Sequence, residues 1–246
     1  MEHSTLFFLV LGFSALSAGL SKSGVPGAVM LSSVFVPMVM SAKVSTGYIL
    51  PFLVFADIIA VAYWRRSVVM RYIIALLPSM CIGIVVGFFL MGRIEDAVYG
   101  KVLGSTILFL LAMDFAFRRF DIHIPKNSRL FAWSMGFLSG VMTMLANAAG
   151  PAMMLYLLTM NISKEEFVGT GAWIYLVINS FKVPFSIQLG LITLDSFFIN
   201  LMLLPLIFLG SFLGVRLMRK ISGPFFEKMM RGMVLLGGIK LLFQGG

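Results

Sequence analysis

Apolar runs of about 20 residues recur from one end of this chain to the other, and that is the length an α-helix needs to cross a bilayer. Of the 246 residues, 60% are hydrophobic and 12% charged. A soluble domain carries roughly a quarter charged residues. No polar stretch is long enough for a separate soluble domain. The first run, Leu6 to Leu20, has no basic flank before it and reads as a retained helix rather than a cleaved signal. The expected fold is all-α, a polytopic helical membrane protein in contact with the lipid bilayer.

The chain also repeats itself. Gly12 and Gly136 are 124 residues apart, as are Val44-Ser45-Thr46-Gly47 and Val168-Gly169-Thr170-Gly171. Pro78, Gly83 and Gly87 recur as Pro205, Gly210 and Gly214 at an offset of 127. Ten hydrophobic segments follow, five per half. In the first half they run over about 5–21, 25–40, 44–63, 70–92 and 98–117. In the second they run over about 130–146, 149–160, 167–186, 192–215 and 229–243. The second segment of each half is short for a span. The division is a first repeat over 1–118, a cytoplasmic linker over 119–129 and a second repeat over 130–246.

Basic residues set the orientation. Arg65, Arg66 and Arg71 follow the third segment, and Arg118, Arg119, Lys126 and Arg129 lie between the halves. Lys164 follows the seventh segment, and Arg216, Arg219, Lys220, Lys228 and Arg231 surround the last connection. These loops alternate with basic-poor ones, which places the rich loops in the cytoplasm and both termini outside. Equivalent loops of the two halves then fall on opposite sides. An odd number of segments per half produces that inversion, so the repeats are expected to have inverted topology. Tyr63 and Trp64 beside Arg65 read as an interfacial anchor. The net charge of +9 has the same positive-inside origin and does not call for nucleic acid as a partner.

The link after the first segment is Gly19-Leu20-Ser21-Lys22-Ser23-Gly24-Val25-Pro26-Gly27. It is polar and flexible, and Pro26 suits the first turn of a new helix, whose free N–H groups would favour an anion. Its counterpart is Ala146-Asn147-Ala148-Ala149-Gly150-Pro151. Either each half carries a re-entrant or broken helix pair with its break near the midplane, or these are plain interhelical turns. Lys22 between two serines favours the first reading. Asp57 and Lys182 are charges inside apolar runs, where ionisable groups face a partner or a cavity. Thr46 lies three helical turns before Asp57, and Asn179 one turn before Lys182, in each case on the same face. Asp57 and Lys182 form either a structural ion pair or part of a substrate site, with Asp57 as the proton-coupling group. The glycine pairs spaced by four (Gly83 and Gly87, Gly136 and Gly140, Gly210 and Gly214) permit close helix contact. Cys81 is the single cysteine, and the two histidines, His3 and His123, lie outside the apolar segments. No metal site, cofactor or Ser-His pair is expected.

At these residues the chain resembles the sulfite exporter TauE/SafE family of membrane transporters. The first-half likeness is Gly19 to Gly27, Pro37, Gly47-Tyr48-Ile49-Leu50-Pro51, and Asp57 before Tyr63-Trp64-Arg65-Arg66. The second-half likeness is Ala149-Gly150-Pro151, Tyr156-Leu157-Leu158, Phe167-Val168-Gly169-Thr170 and Asn179-Ser180-Phe181-Lys182. The resemblance covers nearly the whole chain. It implies movement of small sulfur-containing anions, such as sulfite or organosulfonates, through a duplicated helical fold. Ser23 and Ala149 stand where relatives often have glycine.

The expected function is therefore secondary transport of a small anion, by a multi-pass protein of the cell membrane (the bacterial inner membrane). Its substrate-binding residues are expected among Ser21, Lys22, Ser23, Gly24, Gly27, Thr46, Asn147, Gly150, Thr170, Asn179 and Lys182. A passive anion channel uses similar residues and stays open as the alternative. A membrane-embedded enzyme would need a base beside its nucleophile or a ligand cluster, and the sequence offers neither.

Overall fold

The computed structural model describes residues 5–25, 28–36, 39–93 and 128–243, together with residues 105, 108, 109, 112, 115 and 119. The fifth segment and the linker after it lie largely outside the described residues, as do Pro26 and Gly27. The described elements are helices: α1 (Thr5–Ser23), a 3-10 turn (Ala28–Leu31), α2 (Ser32–Phe35), α3 (Ala42–Trp64), α4 (Met70–Met91), α5 (Arg129–Ala146), α6 (Gly150–Thr159), α7 (Lys164–Gln188), α8 (Leu194–Met202), α9 (Leu204–Lys220) and α10 (Gly223–Phe243). Among the described residues, α1, α4, α5 and Lys43–Trp64 of α3 are long and apolar enough to cross a membrane. The pair α8 and α9, bent by 52°, adds a fifth if it is one broken span.

Polar caps start several of these helices. Ser41 and Ser128 accept the N–H of Val44 and Phe131, at 3.4 and 3.3 Å. Ser163 and Glu166 cap α7 reciprocally, with Ser163 N–H donating to the Glu166 carboxylate and Glu166 N–H donating to the Ser163 hydroxyl. Thr193 and Ser196 do the same for α8. Asn147 ends α5 in the left-handed region (φ 54°), and the N–H groups of Asn147 and Ala148 return to the carbonyls of Thr143 and Met142.

Two expectations are corrected. The ninth segment, read as one run over 192–215, is two helices. Pro205 has no N–H to give and crowds the preceding turn, so the chain restarts at Leu204 with proline in the first turn. The second segment of the first half is a 3-10 turn and a single turn of α-helix. Pro26 and Gly27, where the anion-attracting helix start was expected, lie outside the described residues. In the second half the corresponding element is α6, ten residues long, with Pro151 in its first turn as expected.

The chain forms two compact units, and they cut across the sequence halves: residues 1–68 with 168–222, and residues 69–167 with 223–246. The first unit has a core of Phe7, Leu11, Ala15, Ala18, Phe52, Leu53, Ala56, Ile199 and Ile207, drawn from α1, α3, α8 and α9. In the second unit Tyr156 of α6 packs edge-on to Tyr72 of α4 at 6.0 Å and lies 5.8 Å from Phe131 of α5.

Each unit is tightened by one pair of glycine-rich helices. In the first unit α1 lies on α9, and a methyl group at Gly19 or Gly210 would collide with the carbonyl of Ile207 or Leu16. In the second unit α4 lies on α5, and a methyl group at Gly83 or Gly140 would collide with the carbonyl of Phe137 or Met80. The two contacts use matched positions. Gly12 faces Leu206, while Gly136, 124 residues on, faces Ser79, which is 127 residues before Leu206. Thus the first helix of each half packs on the fourth segment of the other half. Substituting Gly210 by alanine should lower thermal stability in detergent by about 1–3 kcal/mol, the usual cost of overpacking. Gly92→Ala, where nothing lies within 4 Å, should leave the melting temperature unchanged.

Candidate functional site

Among the described buried residues, three carry charge: Lys22, Asp57 and Lys182. All three belong to the first unit. A charge in an apolar span is expensive unless it is paired and hydrogen-bonded, so what surrounds these three defines the site.

Lys22 lies in the last turn of α1, where the helix end favours a cation. Its ammonium is 3.0 Å from Asp57 Oδ1, with the side chains 6% and 0% exposed. It also sits 3.4 Å from the centroid of the Tyr175 ring, within cation–π range. On the other carboxylate oxygen, Asn179 Nδ2 donates to Asp57 Oδ2 at 2.6 Å. A carboxylate only accepts, which fixes the Asn179 amide with its NH2 toward Asp57. The Asn179 carbonyl oxygen is therefore directed elsewhere; it is buried and has no hydrogen-bond partner. Lys182, 1% exposed, interacts electrostatically with both Asp57 and Lys22. Tyr175, Asn179 and Lys182 are spaced i, i+4, i+7 and share one face of α7.

Helices α3 and α7 run antiparallel around this cluster. Near one end Gly169 meets the backbone carbonyls of Trp64 and Ser67, so a methyl group there would lie 3.0 and 2.5 Å from them. Near the other end Gly47 meets the Leu191 carbonyl. Proline lies inside both helices, at Pro51 and Pro184. The end of α1 is tied to α3 by Trp64, whose indole Nε1–H donates to the Ser23 carbonyl at 3.0 Å. That carbonyl is one of those a helix end leaves without an internal partner. Trp64 is 8% exposed and so is not the surface anchor its position beside Arg65 suggested. Tyr63 is 42% exposed and accepts a hydrogen bond from Arg219.

Several of the remaining expected site residues lie in the same unit. Ser21, Ser23 and Thr170 are buried, and the Ser23 hydroxyl has no hydrogen-bond partner. Thr46 is partly exposed and turns its hydroxyl back to the Lys43 carbonyl at 2.7 Å. Gly24 follows α1 and abuts the Gly214 backbone. Asn147 and Gly150 belong to the second unit, where the left-handed helix end accounts for asparagine at 147. The sequence reading missed Tyr175; its signal was the spacing of four to Asn179 and seven to Lys182. An apolar groove of about 460 Å3, lined by Pro51, Phe55, Val183, Ile187, Leu194 and Phe197 among others, also lies in the first unit, but its lining has no charge to hold an anion.

Apolar helices of spanning length, small-residue packing and a buried cluster of opposed charges belong to a multi-pass membrane protein whose buried charges mark a candidate functional site. Residues 6–241 match the family model described as Sulfite exporter TauE/SafE. The chain belongs to the TauE/SafE sulfite exporter family, whose members are membrane transporters. No curated protein and no solved structure matches it.

Replacing Trp64 by phenylalanine should strand the Ser23 carbonyl and cost about 1–3 kcal/mol of stability, the penalty for an unsatisfied buried acceptor. Tyr63→Phe, at the half-exposed neighbour, should cost less than about 0.5 kcal/mol. Thermal unfolding of the two variants in one detergent checks the contrast.

Proposed function

We propose that the chain is a secondary transporter for a small sulfur-containing anion of the sulfite or organosulfonate class. In this reading Lys22 and Lys182 supply positive charge to the anion, and Asp57 is the resident counter-anion and proton carrier. The observation that carries it is the buried ion pair Lys22–Asp57, steadied by Asn179. The family supplies the coarser part, a membrane transporter.

The mechanism follows from competition. With the site empty of substrate, Asp57 occupies Lys22. An arriving anion draws an ammonium toward itself and weakens that hold. A buried carboxylate deprived of its cation becomes harder to keep ionised, and a proton is the remaining way to neutralise it. Release of the anion lets Asp57 recapture Lys22 and return the proton. Anion and proton are then linked without any nucleotide. The cytoplasmic side is assigned to the arginine-rich loops, and the membrane to the bacterial inner membrane.

The test is flux in liposomes holding purified protein, with sulfite and simple sulfonates as substrates. Lys22→Met should abolish saturable uptake while the protein remains folded. Asp57→Asn should keep substrate binding but lose stimulation by a pH gradient. A channel would instead give non-saturating flux in the wild type. Wild-type-like, gradient-coupled transport by both well-folded variants overturns the assignment.

A further inference from the structure

The ends of α3 and α9 carry five exposed cations of the first unit: Arg65, Arg66, Arg216, Arg219 and Lys220. The acidic residues in the sequence of that unit are Glu2, Asp57 and Asp195. Asp57 is engaged by Lys22, and Asp195 stands in the first turn of α8. Among the described residues, no carboxylate pairs with any of the five cations. The dipole of α9 accounts for cations in its last turn, but not for how two of them are held.

Two aromatic side chains hold the guanidinium groups. Arg216 lies 3.9 Å from the centroid of the Phe212 ring, one turn earlier on α9. Arg219 lies 5.5 Å from the centroid of the Tyr63 ring on α3 and donates to the Tyr63 hydroxyl oxygen. A phenol that accepts in this way keeps its own O–H to donate. Tyr63, Arg216 and Arg219 therefore offer an anion two positive charges and a neutral donor. Phe208 and Phe212 are 57% and 53% exposed. Phe208, Phe212 and Arg216 are spaced by four, so an apolar stripe on one face of α9 leads to the cations. The helix from Phe208 to Arg219 rises about 16 Å, close to the hydrocarbon depth of one bilayer leaflet.

We propose that this surface binds an anionic phospholipid. The lipid phosphate engages Arg216, Arg219 and the Tyr63 hydroxyl, and an acyl chain lies along Phe208 and Phe212. A free phosphate ester would satisfy the cations and leave the apolar stripe unused. A zwitterionic lipid would bring one more cation to a cluster that already has five. An anionic lipid answers both features, and Arg65 and Arg66 add attraction for its headgroup. The phosphate then joins the end of α3 to the end of α9, through the same Tyr63 that already links them. This assignment does not depend on what the protein transports.

The experiment counts lipids retained by the purified full chain in a non-ionic detergent, by native mass spectrometry. Phosphatidylglycerol is compared with phosphatidylcholine of the same acyl chains. The wild type should hold one phosphatidylglycerol about tenfold more tightly than phosphatidylcholine. Arg216→Gln combined with Arg219→Gln should erase that preference. Tyr63→Phe leaves the net charge unchanged and should weaken phosphatidylglycerol by about threefold or more. Arg93→Gln, which removes an exposed positive charge just after α4, should leave the preference as it is. A wild type with no preference overturns the proposal. So does a preference that survives Tyr63→Phe unchanged, or one that Arg93→Gln lowers as far as the double variant does, since either result means unspecific charge attraction. Displacement of the lipid by an equal concentration of free glycerol phosphate also overturns it, because the headgroup alone would then be the ligand. If the double variant does not fold, Tyr63→Phe decides, since its lost hydroxyl costs little stability.

Discussion

The contact between Lys22 and Asp57 is what the rest of the first unit has to accommodate. Two opposite charges removed from water repay their desolvation only when the geometry is good and the remaining polar atoms are served. Here the ammonium has a carboxylate at 3.0 Å and an aromatic face at 3.4 Å. The second carboxylate oxygen has an amide at 2.6 Å. Each of those partners comes from a different helix or a different turn, so α1, α3 and α7 must meet at one depth. The Trp64–Ser23 bond and the close approach at Gly169 serve that requirement.

Much of this was legible in the chain, because charge in an apolar run is a conspicuous signal. Lys22, Asp57, Asn179 and Lys182 were all marked by their setting, and the structure puts them in one unit. Which residue meets which was not legible. Asp57 meets Lys22 of α1 at 3.0 Å, a contact that spacing along α3 or α7 does not announce, because pairing depends on how helices are arranged. Trp64 was misread for a related reason. A tryptophan beside two arginines has the composition of an interfacial belt, and only the path of α1 shows that its indole is needed indoors. Tyr175 was overlooked because an aromatic in an apolar helix looks like filler until a cation is found over its ring.

The helix boundaries divide in the same way. Helices α3, α4 and α5 start and end close to their hydrophobic runs, since hydropathy and caps agree there. The ninth segment broke because hydropathy is blind to the backbone. Leu203-Leu204-Pro205 reads as continuous grease, yet proline cannot extend the helix that precedes it. The glycine pairs were read as packing sites, and they are. The repeat did not announce that the first helix of each half would take its partner from the other half, and this exchange is why compact units and sequence halves differ.

The two close approaches of α3 and α7 give them the character of a closed frame. They are pinned near one end by Gly169 and near the other by Gly47, with the amide–carboxylate bond strung across the middle. A frame fixed at both ends resists parting, so Asp57, Asn179 and Lys182 keep their spacing while other parts of the unit shift. Lys22 enters that frame from a third helix, on a long and pliable side chain. It is the loose tooth of the lock: a change of a few ångströms in the last turn of α1 would move one charge while the others stay where they are.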